Sequence, residues 1–219
     1  ADEEAGKGEH GPGWLLDNRP ELIDAPFILT EGGGSDLRIG ARRFYTCQTG
    51  QKGICRMRVH ARGKPGHGSI PHDQNAVAYL CRMMGNLHQV DLPIHPAATM
   101  TNFLAAIAAG QAPELTTDLR DLSDPARSAA ALERLPLSND FKAELSALLR
   151  NTASITMLQA GTKINVIPAT ATAWIDGRLA PGQTRESFVA ELRSYIGDEV
   201  EIEVDQYSPP LEASSESEL

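Results

Sequence analysis

Four clusters in the 219-residue chain hold side chains whose types and spacing could do chemistry. The first is Asp2-Glu3-Glu4, followed at once by Ala5-Gly6. Adjacent carboxylates repel, so three in a row are costly unless a cation lies near. In such a cluster one carboxylate can bind a divalent metal while a neighbour, pointing elsewhere, takes a proton from metal-bound water. The alternative is a solvated acidic terminus. The second is Glu31, where an apolar stretch over 26–30 empties into Gly32-Gly33-Gly34. A carboxylate there is either well placed as a ligand or a simple turn acid. The third is Gly63-Lys64-Pro65-Gly66-His67-Gly68-Ser69-Ile70-Pro71-His72. Its glycines and prolines predict a tight loop that presents the imidazole of His67, or else an ordinary surface histidine. His67 and His72 are five apart across a proline, a poor spacing for one metal. The fourth runs from Gly161 through Asn165 to Pro168 and on to Asp176-Gly177-Arg178. Asn165 can donate and accept, and Arg178 can fork onto a carboxylate. Either residue alone also reads as a turn Asn and a strand-end Arg.

The elements that must position these groups follow from periodicity. A short helix is expected near 14–16 and a strand over 26–30, an acid–helix–strand–acid order that suits ligands at the strand ends of a parallel α/β sheet. Residues 44–49 and 52–62 read as a hairpin around Gly50-Gln51. The second strand alternates Cys55, Met57, Val59 and Ala61 against Arg56, Arg58, His60 and Arg62. A helix follows over 75–88 with apolar Val77, Leu80, Met84 and Leu87 at three- and four-residue spacing. Residues 90–151 read as a helical insertion, with Asp124-Pro125 as a helix start. Two strands (153–159, 170–178), a helix from Thr184 to Gly197 and a last strand (199–205) complete the chain.

Without the insertion, residues 52–205 read β-α-β-β-α-β, the split βαβ or ferredoxin-like plan, which is α+β. Its usual order sets the last strand beside the first, with Glu201 and Glu203 facing Arg56, Arg58 and His60. Opposite charges across a strand pair contribute on the order of 0.2–1 kcal/mol each. The outer strands would be 153–159 and 199–205. The second is guarded by Glu201, Glu203 and Asp205, whereas Ser154-Ile155-Thr156-Met157-Leu158 carries no charge and offers an open edge.

Composition excludes several classes. Lys+Arg 20 against Asp+Glu 29 gives a net charge of −9, which argues against nucleic acid or an anionic membrane surface as partner. The longest apolar stretch, around 103–109, is too short to span a bilayer. Three cysteines without a C-x-x-C pair fit a reducing compartment, read here as cytoplasmic, better than a disulfide framework. A start inside a carboxylate run without Met, and a Ser/Glu-rich end, read as a piece of a longer protein.

Taken together, the motifs resemble the dinuclear-zinc metallopeptidases and amidohydrolases that include aminoacylase, carboxypeptidase S, acetylornithine deacetylase and succinyl-diaminopimelate desuccinylase. Asp2-Glu3-Glu4-Ala5-Gly6 is similar to the family's acidic motif, and Glu31-Gly32-Gly33 to its following ligand strand. Gly66-His67-Gly68-Ser69-Ile70-Pro71-His72 is similar to the loop that opens the inserted lid, or dimerisation, domain. Asn165-Val166-Ile167-Pro168 through Asp176-Gly177-Arg178-Leu179-Ala180-Pro181-Gly182 is similar to the lid's later strand pair. The Glu-Gly-Gly variant and the long insertion point toward the carboxypeptidase S side.

The resemblance implies a division into a catalytic-domain segment (1–45), a lid (46–208, with the insertion at about 90–151) and a return segment (209–219). It implies Glu3 as general base, Glu4 and Glu31 as ligands to different metals, and two zincs per subunit in the intact parent, with cobalt or manganese as substitutes. It implies a homodimer through the lid, with His67 and Asn165 reaching into the partner's active site. There His67 would polarise the scissile carbonyl of an N-acyl amino acid or short peptide, and Arg178 would help hold the substrate's carboxylate. The family's His-x-Asp motif and final His ligand are absent, so this piece by itself is expected to be catalytically silent. The competing reading is a stand-alone dimerisation module with no chemistry.

Overall fold

The computed structural model describes residues 11–26 and 33–213. Contacts divide the chain into one unit up to Gly34 and a second from Ser35 onward. In the first, helix α1 (Pro12–Asn18) opens with Pro at its first position, where the missing N–H leaves no bond unmade, and a 3-10 turn follows over Pro20–Leu22. The strand expected over 26–30 lies outside the described residues except for Pro26.

From Gly33 onward, chain order is β1 (Gly33–Ile39), β2 (Arg42–Cys47), β3 (Gly50–Gln51), β4 (Gly53–Arg62), β5 (Gly66–His67) and α2 (Ala76–His88), and all but the first two residues of β1 fall in the second unit. The insertion supplies α3 (Ala98–Ala108), α4 (Pro113–Asp121), α5 (Ser128–Arg134) and α6 (Asn139–Leu148). Then come β6 (Thr152–Ala160), β7 (Val166–Ile167), β8 (Thr170–Leu179), α7 (Arg185–Ile196), β9 (Glu201–Ser208) and β10 (Leu211–Glu212). Strands β6, β8, β4 and β9 form one antiparallel sheet in that order. The ferredoxin-like βαββαβ plan is therefore present, with the two expected strands at its edges.

Alternation in β4 decides which face is covered. Cys55, Met57, Val59 and Ala61 are buried to within 1% and meet Ala171, Ala173 and Ile175 of β8 on the same face. Over them lie Leu80, Met84 and Leu87 of α2 and Phe188, Leu192 and Ile196 of α7. Asn75 caps α2 by accepting from the Val77 N–H (2.9 Å), and Thr184 and Ser187 form a reciprocal capping box at α7. The glycine of Asp176-Gly177-Arg178 has a packing cause: a Cβ there would sit 2.4 Å from Phe188 Cε1 and 2.5 Å from the Cys55 carbonyl. The other face is polar, and the expected charge match holds in register. Arg58 opposes Glu203 and His60 opposes Glu201. Arg58 Nη2 meets Glu203 at 2.8 Å and Asp205 at 2.6 Å, and Arg62 meets Glu201 at 2.9 Å. Asp205 is the extra residue where the β4–β9 register shifts between Arg56 and Met57.

Two expectations are corrected. Segment 44–49 does not pair with 52–62: β2 pairs with β1, and β3 pairs with β10, Gln51 opposite Leu211. Both edges of β4 are already taken by β8 and β9, so no ladder is free for a hairpin partner. The β1–β2 pair instead buries Ile39, with Leu37 and Phe44 beside it, in a second core built by Leu104, Ile107, Leu119, Leu122 and Leu145 of the insertion. Nor does a helix start at Pro125. Asp124 caps a turn, accepting from the Ala126 N–H at 2.9 Å, and α5 begins at Ser128.

The insertion is tied to the sheet by opposite charges at two helix ends. Lys52, between β3 and β4, donates to the carbonyls of Ala147 and Arg150 (2.8 Å each) at the C-terminus of α6, where last-turn carbonyls lack helical partners. Glu212 of β10 accepts from the Thr99 N–H (2.6 Å) and from its hydroxyl at the N-terminus of α3. The first of these is the larger constraint, because Lys52 is largely buried: burial, then Arg178 and Arg150, lower its pKa from 10.5 to about 8. Lys52→Met should lower unfolding free energy by about 1–3 kcal/mol near neutral pH through the orphaned carbonyls. Between pH 8 and 10.5 the unfolded chain holds the extra proton, so wild-type stability rises with pH there on account of Lys52. Urea titrations across that window should show the gap between wild type and Lys52→Met widening as pH rises.

Candidate functional site

Strands β4 and β8 are in register from Gly53–Leu179 to Arg62–Thr170. Their ladder does not stop where the sheet does. The Gly63 N–H reaches the Ala169 carbonyl at 2.8 Å, and beyond Pro65 the two chains pair again as β5 and β7. Gly66 stands opposite Ile167 and His67 opposite Val166, and the Gly68 N–H closes on the Asn165 carbonyl at 2.8 Å. Gly63 permits this exit because a Cβ would lie 2.3 Å from the Gln74 carbonyl, beside the start of α2. The result is a two-stranded ribbon projecting from one end of the sheet.

That ribbon sets His67 on β5 one residue before Gly68, whose N–H binds the Asn165 carbonyl in the turn just ahead of β7, and both His67 and Asn165 are exposed. The His67 ring is held from its own loop: Nδ1 lies 2.7 Å from the Ser69 hydroxyl and accepts from the Ser69 N–H at 3.2 Å. The Ile70 N–H donates to the His67 carbonyl at 2.9 Å and closes the turn. His72 is not part of this arrangement. Its two ring nitrogens are buried without a hydrogen-bond partner, beside Gly66. Ser69 carries its own sequence signal, a hydroxyl two residues after the histidine, the spacing at which a side chain and a neighbouring N–H can bond locally.

Arg178 lies elsewhere. It faces Ile54 and Thr152 near the far end of β8, about 26 Å from Thr170 at roughly 3.3 Å per residue. Its guanidinium is taken up by Asp176, with Nε and Nη2 at 3.2 and 3.1 Å from Oδ2, while Arg56 Nε binds Oδ1 at 3.1 Å. The structure therefore gathers His67 and Asn165 but leaves Arg178 in the ion network on the open sheet face. Glu3, Glu4 and Glu31, with the expected two-zinc site, lie outside the described residues. Among the described residues no group of three or more His, Cys, Asp or Glu could hold a metal ion.

Comparison with known proteins matches residues 49–203 to the peptidase dimerisation domain of the M20 family. The human N-fatty-acyl-amino acid synthase/hydrolase PM20D1 is 26% identical over 203 residues, covering 90% of this chain and 38% of that protein. A probable carboxypeptidase S-like protein of Dictyostelium discoideum is 34% identical over 79 residues, 36% of this chain and 16% of its own length. The chain thus spans between about a sixth and two fifths of the length of these curated relatives. In fold it is similar to an M20 metallo-carboxypeptidase from Sulfolobus solfataricus, with a TM-score of 0.51 at 18% identity over 77% of this chain and 46% of that one.

Asp176 holds two arginines, so the network depends on it more than on Arg178. In denaturant titrations Asp176→Ala should cost about 1–2 kcal/mol, because Arg178 loses its acceptor and Arg56 keeps only Gln206 Oε1. Arg178→Ala, removing one half-exposed partner, should cost about 1 kcal/mol or less.

Proposed function

The chain belongs to the M20 peptidase dimerisation domain family, and from that premise we propose that it is the self-associating lid of a hydrolase cutting the amide bond of N-acyl amino acids or short peptides. The observation that carries this reading is the bare edge of β6. Met157 and Leu158 there are 57% and 60% exposed, and no charge interrupts 154–158. The opposite edge, β9, is occupied by Glu201, Glu203 and Asp205, which pair with arginines of β4. Unpaired backbone groups on an uncharged edge are a template for another strand. A two-fold axis at β6 joins two four-stranded sheets antiparallel into one, an isologous homodimer contact. Helix α2, which packs over β8, β4 and β6, is the helix nearest that axis.

In this dimer the ribbons offer His67 and Asn165 to the partner subunit's active site, where His67 donates toward the scissile carbonyl oxygen and Asn165 binds substrate. Glu3 as general base, Glu4 and Glu31 as ligands of two zincs (or cobalt or manganese), and Arg178 as a carboxylate contact belong to the same proposal and rest on motif resemblance. A bound metal would supply an activated water. The reading includes a reducing, cytoplasmic setting, supported by free thiols at Cys47, Cys55 and Cys81. It includes no nucleic acid or membrane partner; among the described residues no helix is long and apolar enough to cross a membrane.

Thr156 sits at a register shift of β6, a position where Pro is tolerated. Thr156→Pro, and separately Met157→Lys, should move the chain from dimer to monomer in analytical ultracentrifugation with its circular dichroism unchanged. In the complete enzyme, subunits carrying His67→Ala mixed with subunits carrying Glu3→Ala should regain hydrolysis, because each mixed dimer holds one site with both groups intact. No recovery would leave the non-catalytic dimerisation module as the better reading.

A further inference from the structure

We propose that Ser69 is a positioning residue for His67, fixing its neutral imidazole as the tautomer that carries the proton on Nε2. The inference rests on the reading of His67 as a donor to the substrate's carbonyl oxygen, and it names the group that makes His67 a donor.

The argument is one of hydrogen-bond sign. A backbone N–H can only donate, and the Ser69 N–H is directed at His67 Nδ1 at 3.2 Å. Nδ1 therefore presents its lone pair. The Ser69 hydroxyl, 2.7 Å from the same nitrogen, then serves as a second donor. A neutral imidazole has one N–H, so with Nδ1 as acceptor the proton resides on Nε2. The ring is exposed, and the turn that holds it is closed on both sides: the Ile70 N–H binds the His67 carbonyl at 2.9 Å, and the Gly68 N–H binds the Asn165 carbonyl at 2.8 Å. Nε2–H is then the free polar group of the ring, offered to an oxygen lone pair. In this state Nε2 is neither a general base nor a metal ligand, since both need its lone pair. The ligand chemistry this fits is a carbonyl oxygen, whose acceptor strength grows as negative charge develops on it during attack.

The test reads the tautomer directly. The 219-residue chain is labelled with 15N-histidine, and two-bond nitrogen–proton correlations are recorded near neutral pH, with the His67 signals assigned by their loss in His67→Gln. The wild type is expected to show the Nε2–H pattern. Ser69→Ala removes the stronger of the two donors and should move the ring toward a mixture of tautomers; Ser69→Thr, which keeps the hydroxyl, should restore the wild-type pattern. In the complete enzyme Ser69→Ala should lower kcat by about tenfold with KM nearly unchanged, and Ser69→Thr should recover it. An Nδ1–H pattern in the wild type, or a pattern unmoved by Ser69→Ala, overturns the proposal while leaving the role of His67 standing. An Nε2–H pattern that responds as expected, in an enzyme whose His67→Ala variant hydrolyses substrate at the wild-type rate, overturns the donor role itself and with it any positioning role for Ser69.

Discussion

The structure depends on one ladder. Ten paired positions between β4 and β8 fix the register of the two central strands. Because side chains alternate, that register decides at once which residues enter the core and which line the polar face. It seats Gly177 against Phe188, where no larger residue fits, and it aligns Arg56 with Asp176. With β4 and β8 in the centre, the remaining edges belong to β6 and β9, one bare and one charged. The same pair of chains then runs off the sheet as the β5–β7 ribbon. Between Arg62–Thr170 and Gly66–Ile167 one chain advances four residues and the other three, and the slip sets His67 opposite Val166 and Gly68 against Asn165. Core, edge and ribbon are consequences of a single alignment.

The insertion leaves that alignment intact because it is nearly self-sufficient. Its helices bury Leu104, Leu119, Leu122 and Leu145 among themselves and take the β1–β2 pair into the same core. What they require from the sheet domain is satisfaction of helix ends. Lys52 on the incoming segment meets the carbonyl end of α6, and Glu212 on the outgoing strand meets the N–H end of α3. The incoming and outgoing segments also pair with each other as β3 and β10. A third contact, His95 Nε2 to Glu191 at 3.3 Å with Asn151 on the same carboxylate, joins the insertion to α7. Charge placed against helix dipoles thus gathers three stretches that are distant in sequence.

Much of this is legible in the residues. The period of two in 55–62, the 3.6-residue spacing in α2 and the helix from Thr184 point to the split βαβ plan, whose usual order sets β9 beside β4, and the facing charges of the two strands support that order independently. Other features were hidden for physical reasons. Segment 44–49 has the composition of a hairpin strand, but pairing is a competition, and β8 and β9 had already filled both sides of β4. Asp124-Pro125 has the chemistry of a helix start, but the same side-chain bonds close a turn. The quoted motifs placed His67 and Asn165 in loops, and only the extended ladder shows that they are neighbours. Arg178 looked free as a carboxylate fork, yet Asp176 lies two residues away on the same face and takes it. The tie made by Lys52 leaves no local signal, since its partners are nearly a hundred residues distant.

The central claim is that β6 is the surface through which two copies join, so that two ribbons are presented by one continuous sheet. Amide hydrogen exchange as a function of protein concentration tests it most directly, because it reads the backbone bonds themselves. The account predicts that the outward amides of Thr152–Ala160 gain protection as concentration rises through the dimerisation range, while Glu201–Ser208 on the other edge is unchanged. Protection that develops along β9 instead, or a dimer in which Thr152–Ala160 exchanges as fast as in the monomer, would contradict it.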